Sequence, residues 1–142
     1  MCGIAGIYNA DGRPVDTVVL KAMIDLQRHR GPDDQGIHLA SLRDASHGAV
    51  DLHALPATAS KKFEFGLGFN RLSIIDLSER GHQPMLSSDG RAFIGYNGEV
   101  YNALDQRPEL EAAGHGFRGK SDTEVLLNAY QEYGIEGALK RC

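Results

Sequence analysis

Apolar and polar positions along this chain change period several times, and each change predicts an element. Residues 3–8, Gly-Ile-Ala-Gly-Ile-Tyr, form a short apolar run interrupted by glycines. That is the pattern of a buried strand approached closely by another backbone or a ligand. The run stops at the turn Asn9-Ala10-Asp11-Gly12. After Asp16, a good N-cap, Val19, Met23 and Leu26 recur at helical spacing with Val18 and Leu20 beside them, which predicts an amphipathic helix reaching Arg28-His29-Arg30. Gly31-Pro32-Asp33-Asp34 breaks that helix, and residues 36–39 begin a second strand. Residues 41–62 mix charges and alanines without a period and read as a surface excursion, to which no chemistry is assigned. Strand-like composition returns over residues 65–75 and again over 92–96, which run into Asn97-Gly98. Pro108-Glu109-Leu110-Glu111 resembles the first turn of a helix that stops at Gly114. Ser121-Asp122-Thr123-Glu124 reads as a capping box, followed by an apolar face of Val125, Leu126, Ala129, Tyr130 and Tyr133 and a stop at Gly134. Strands and helices mix without regular alternation, which favours an α+β layered domain over a doubly wound one.

Composition narrows the function classes. A chain of 142 residues fits one domain, expected to span residues 1–142. The net charge of -4 gives no basic excess, so nucleic acid is not expected as a partner, and Arg28-His29-Arg30 reads as a solvated helix end. Only two cysteines are present, Cys2 and Cys142, which form neither a paired metal signature nor a secreted disulfide framework. A reducing, cytoplasmic setting follows as the expectation. No apolar stretch approaches membrane-spanning length, so no membrane partner is expected. His29, His82 and His115 show no helical ligand spacing, and no metal site is assigned. Residues 135–142 look helical without a stop signal, so the chain is expected to continue in a longer protein.

The second residue carries the candidate chemistry. Once the leading methionine is removed, Cys2 joins a thiol and an α-amine in one residue. Their reference pKa values, about 8.5 and about 7.7–8.0, let the amine take the thiol proton near neutral pH, directly or through one water. The bland alternative is a small buried hydrophobe. Acyl transfer from an amide also needs donors aimed at the tetrahedral oxyanion, and Asn97-Gly98 supplies a side-chain amide beside an unobstructed backbone N–H. A free amino-acid substrate calls for an arginine fork at its carboxylate and carboxylates at its ammonium. Arg71, in an otherwise apolar segment, and Glu99 with Asp122 fit those parts. Each has a plainer reading: a hairpin turn for Asn97-Gly98, a strand-edge charge for Arg71, a helix N-terminal charge for Asp122.

Taken together, the stretches Met1-Cys2-Gly3-Ile4-Ala5-Gly6, Arg28-His29-Arg30-Gly31-Pro32-Asp33, Arg71-Leu72-Ser73-Ile74-Ile75-Asp76-Leu77, Gly81-His82-Gln83-Pro84-Met85, Tyr96-Asn97-Gly98-Glu99-Val100-Tyr101-Asn102 and Ser121-Asp122-Thr123-Glu124 resemble, in order, the glutaminase domain of class II (N-terminal nucleophile) glutamine amidotransferases. The resemblance is strongest to the amino-terminal domain of glutamine-hydrolysing asparagine synthetases. It implies a four-layer αββα sandwich, the Ntn-hydrolase fold, truncated at its C-terminal end. It also implies L-glutamine as substrate, Cys2 as nucleophile with its own amine as base, and Asn97 and Gly98 as the oxyanion hole. Arg71 would hold the substrate carboxylate, Glu99 and Asp122 the ammonium, with backbone near Leu72, Ile74 and Ile75 lining the pocket. The glutaminase half is expected to need no cofactor; ATP and Mg2+ would serve only a synthetase domain of the same full-length chain, whose pyrophosphate loop is absent from these residues. A homodimer follows by family analogy. Two other readings stay open: the same domain serving a sugar-phosphate, phosphoribosyl or biosynthetic-cluster acceptor, and a catalytically silent regulatory or dimerisation module.

Overall fold

Two glycines on one strand decide how the first half of the chain is built. In a computed structural model that describes residues 1–50, 52 and 62–142, the chain divides into two compact units, Met1–Leu72 with His82–Pro84 and Ser73–Gly81 with Met85–Cys142. The first unit holds a four-stranded antiparallel sheet in the order β1 (Gly3–Tyr8), β4 (Phe65–Arg71), β2 (Asp34–Ala40) and β3 (His47–Ala49). Strand β4 is paired on both sides, with Gly68 between Ala5 and Ile37 and Gly66 between Ile7 and Leu39. Helix α1 (Thr17–Leu26) lays Leu20 and Ile24 over those two glycines. A Cβ added at Gly68 would stand 2.6 Å from Ile24 Cγ2, and one at Gly66 2.8 Å from Leu20 Cδ2. The missing side chains therefore let the helix settle onto the sheet, closing a core of Ala5, Val15, Leu20, Ile24, Ile37 and Leu39. Asp16 caps α1 as expected, its Oδ1 accepting the N–H groups of Val18 and Val19 at 2.9 and 3.1 Å.

Because side chains alternate across a strand, this register also sorts the opposite face. Ala5 and Ile7 of β1 face α1; Ile4 and, one residue beyond the strand, Cys2 face away from it. Arg71 of β4 and Asp34 of β2, directly paired, share that second face.

In the second unit, β5 (Met85–Leu86) and β6 (Phe93–Ile94) form a two-stranded antiparallel ladder. Asp89 and Gly90 organise its turn: Gly90 N–H donates to Ser87 O, Asp89 Oδ1 accepts from Arg91 N–H and Ser87 Oγ, and Gly90 has φ +70°. Helices α2 (Ala103–Ala112) and α3 (Asp122–Arg141) pack through Leu110, Val125, Ala129 and Ala138. Helix α2 ends in a Schellman pair, His115 N–H to Leu110 O and Gly114 N–H to Glu111 O, with Gly114 at φ +99°. The helical path of α3 breaks at Gly134, with φ 68° and ψ 179°.

The mixed, antiparallel α/β content agrees with the expected α+β class, and several boundaries differ in detail. Helix α2 starts at Ala103, so Pro108 lies inside it rather than in its first turn. Proline forfeits the bond to the Leu104 carbonyl, and the exposed position of Leu104 lets water take that acceptor. Strand β4 stops at Arg71 and β6 covers only Phe93–Ile94, both shorter than composition suggests. The surface excursion at residues 41–62 contains β3, while residues 51 and 53–61 lie outside the described residues.

Candidate active site

Strand β1 delivers Cys2 to the end of the sheet in a defined orientation. The sulfur lies 3.3 Å from Leu72 N, whose N–H donates to it, and 3.8 Å from Leu72 O. Leu72 is the first residue after β4, so the pairing that aligns Gly3 with Asn70 brings its backbone to the sulfur. The Cys2 carbonyl accepts from Arg30 Nε–H at 3.0 Å. Met1, by contrast, is 75% exposed, leaving the Met1–Cys2 peptide open to an aminopeptidase. The side chain of Arg71 rises on the same face as Cys2 and the residue is 7% exposed. The first unit thus brings together three of the residues singled out from the sequence: Cys2, Arg71 and the backbone of Leu72.

Sequence reasoning set Arg30 aside as part of a solvated helix end. The structure corrects this, since its guanidinium is committed to the Cys2 carbonyl. Two further residues went unrecognised. Asp34, opening β2 opposite Arg71, accepts from His82 Nδ1–H at 2.7 Å. That hydrogen bond holds the His82 pKa above its ordinary value against the opposing effect of burial. Burial pushes the Asp34 carboxyl up, but the bond and charge of His82, the Gln35 N–H and the charge of Arg71 outweigh it and hold the carboxyl below the usual range.

The second unit gathers the others. Asn97, Gly98 and Glu99 are exposed, immediately before the buried Val100. Asn97-Gly98 does not close a hairpin, because β6 pairs backward with β5 through the Asp89-Gly90 turn. The plainer reading of that dipeptide therefore falls away. Gly98 lies beside the Tyr96 ring: a Cβ there would stand 2.5 Å from Tyr96 Oη, so a larger residue would have to displace the phenol. Asp122, 8% exposed, is the first residue of α3. Its Oδ2 accepts from Val100 N–H at 2.9 Å and its Oδ1 from Thr123 N–H at 2.8 Å, which ties the segment after Glu99 to the helix start. Burial, reinforced by the charges of Asp122, Cys142, Tyr101 and Glu99, pushes the Tyr96 phenol up. Glu99 and Asp122 therefore both act on the Tyr96 ring. Ile74 and Ile75 carry exposed side chains, 73% and 49%, leaving their backbone as the part able to line a pocket. Asp76, in the same segment, is buried and accepts from Lys120 N–H at 2.8 Å and Ser78 N–H at 2.9 Å. It fastens residues 73–81 to the approach to α3, a role sequence reasoning did not assign.

The capping box forms differently from its usual geometry. Ser121 Oγ accepts from Thr123 N–H at 3.2 Å, while Glu124 turns away to accept from Arg118 N–H at 2.8 Å and Gly119 N–H at 2.9 Å. His82 and His115 are hydrogen-bonded histidines, the latter 2.8 Å from Glu132 Oε2, and among the described residues no cluster of three or more His, Cys, Asp or Glu side chains could hold a metal ion. No described helix is long and apolar enough to cross a membrane.

Comparison with known proteins meets this arrangement from a different direction. A family model described as a glutamine amidotransferase domain matches residues 56–142. Asparagine synthetase [glutamine-hydrolyzing] 1 of Bacillus subtilis (strain 168) is 39% identical over 143 residues, covering 99% of this chain and 19% of that protein. Asparagine synthetase [glutamine-hydrolyzing] 2 of the same organism is 36% identical over 138 residues, covering 95% of this chain and 15% of that protein. A putative asparagine synthetase [glutamine-hydrolyzing] 2 of Methanocaldococcus jannaschii is 33% identical over 150 residues, covering 96% of this chain and 25% of that protein. The chain thus spans a quarter or less of the length of these relatives. A family match over more than half of the residues, together with relatives 33–39% identical over at least 95% of the chain, leads to one assignment: the chain belongs to the glutamine amidotransferase domain family.

Proposed function

We propose that this chain is a glutaminase, hydrolysing L-glutamine to glutamate and ammonia through a thioester on Cys2. The observation that carries the reading is the placement of Cys2 on the face it shares with Arg71, its sulfur oriented by the Leu72 N–H. With Met1 removed, the free α-amine takes the thiol proton and the thiolate adds to the side-chain amide carbon of glutamine. The oxyanion is stabilised by the Asn97 side-chain amide and the Gly98 N–H. Collapse expels the amide nitrogen, which takes the proton from the amine and leaves as ammonia. Water, deprotonated by the same amine, then cleaves the γ-glutamyl thioester and restores the thiol. Arg71 holds the substrate carboxylate; Glu99 and Asp122 attract its ammonium; backbone at Leu72, Ile74 and Ile75 completes the wall.

In this reading the domain adopts the αββα sandwich of N-terminal nucleophile hydrolases and works in the cytoplasm as part of a homodimer. The named relatives support an asparagine synthetase as the whole protein, with ammonia passed to a synthetase segment that uses ATP and Mg2+ to amidate aspartate. The test is glutamate release by Met1-processed protein. Cys2→Ala is expected to abolish it, and a diazoketone analogue of glutamine is expected to add one adduct on Cys2. Asn97→Ala should lower kcat by about 10²–10³-fold, with KM little changed. Normal turnover by Cys2→Ala would refute the nucleophile.

A further inference from the structure

We propose that Asp34 and His82 act together as a positioning pair for Arg71, so that the affinity for the substrate carboxylate follows the protonation of His82. The inference rests on the glutaminase reading, because it needs Arg71 to be the carboxylate fork. Its observations are separate ones.

Directly opposed residues in an antiparallel pair carry their side chains on one face with Cβ atoms about 5 Å apart. Asp34 and Arg71 are such a pair, so a carboxylate and a guanidinium rise side by side on the face that also bears Cys2. Asp34 is held from two directions: Oδ1 accepts from Gln35 N–H at 2.8 Å and Oδ2 from His82 Nδ1–H at 2.7 Å. The His82 ring in turn lies over the backbone of β2, since a Cβ at Gly36 would stand 2.8 Å from its Nε2. The result is a fixed row, imidazole to carboxylate to the neighbouring guanidinium, in which Arg71 acts on the charge of both partners.

The consequence for a ligand follows from charge. With His82 protonated, the Asp34–His82 pair is neutral and sets no net negative charge beside Arg71. With His82 neutral, the Asp34 carboxylate offsets part of the Arg71 charge and the substrate carboxylate binds more weakly. The other ionisable groups facing this row are His38 on β2, held neutral near pH 7 with its pKa lowered to about 4, His47 of β3 against His38, Asp33 beside Asp34, and Arg30 and the mature amine at Cys2. Because turnover would also depend on that amine, the measurement must avoid turnover.

The experiment is calorimetric binding of L-glutamine to Met1-processed Cys2→Ser protein between pH 5.5 and 8.5, at low and high salt. The dissociation constant is expected to rise on the order of fivefold as pH increases through the His82 transition, and less at high salt. His82→Gln keeps a donor for Asp34 and removes the charge; it should bind with a flat pH profile at the high-pH affinity of the parent. Asp34→Asn removes the bond and charge that raise the His82 pKa, so the step should move to lower pH. A pH step that survives in His82→Gln overturns the proposal. Arg71→Ala separates the two claims: if it binds glutamine as tightly as the parent, the assignment of Arg71 itself fails, whatever His82 does.

Discussion

Truncating Glu124 to alanine should destabilise the second unit far more than an ordinary helix-surface change. The residue is 3% exposed, and its two carboxylate oxygens accept from Arg118 N–H at 2.8 Å and Gly119 N–H at 2.9 Å, with Arg118 Nε–H at 3.4 Å as a weaker third contact. A bond to an ionised acceptor contributes about 1.5–3 kcal/mol, and a buried donor left without a partner carries a desolvation cost of similar size. The Gly119 contact is buried and the Arg118 one half-buried, so the two together come to about 4 kcal/mol. The solvent-exposed guanidinium adds under about 1 kcal/mol. Against a typical total of about 5–15 kcal/mol that is a large loss. Glu124→Gln keeps one acceptor oxygen and should cost about half as much. Urea unfolding followed by far-UV circular dichroism measures both, and amide exchange at Gly119 localises the effect. A loss below about 1 kcal/mol in Glu124→Ala, or unchanged exchange at Gly119, would refute the reasoning.

Burial, helped by the charges of His47 and His82, lowers the His38 pKa to about 4 from 6.5. The folded state then binds fewer protons than the unfolded one, so His38 favours folding above pH 6.5 and that contribution is lost between about pH 6.5 and 4, on the order of 3 kcal/mol in all. Stability curves of the parent and His38→Gln should diverge by that amount over this window; parallel curves would exclude the effect. Gly68→Ala should cost about 1–3 kcal/mol by pressing a methyl onto Ile24 Cγ2, and Ile24→Leu, which lacks that methyl, should recover at least about 1 kcal/mol in the double variant.

Local chemistry was legible where one residue settles it. Asp16 caps α1, Gly114 closes α2 and Gly134 interrupts α3, each at the position its type suggests. The glycine-broken run at residues 3–8 is a strand, but an edge strand with Ile4 and Tyr8 exposed rather than a buried one, and the glycines that admit the helix are Gly66 and Gly68 on the neighbouring strand. What stayed hidden depends on register. Nothing near Asp34 in sequence points to His82, which lies 48 positions away, and only the pairing of β2 with β4 sets Asp34 beside Arg71. Arg30 likewise looks like a charged helix end until its reach to the Cys2 carbonyl is known. Pro108 misled in the other direction, because a first-turn preference says nothing about a helix that tolerates one missing donor on its wet side.

Among the described residues, strand β1 lies at an edge of its sheet, with main-chain groups turned outward. The carbonyl of Cys2, just before the strand, and that of Ile4 within it are occupied by Arg30 Nε–H at 3.0 Å and Gln27 Nε2–H at 3.3 Å. Bulky polar side chains docked along such a rim obstruct a second chain from annealing to it. Replacing both with alanine would leave a sticky border, and clumping of otherwise folded molecules would be its mark.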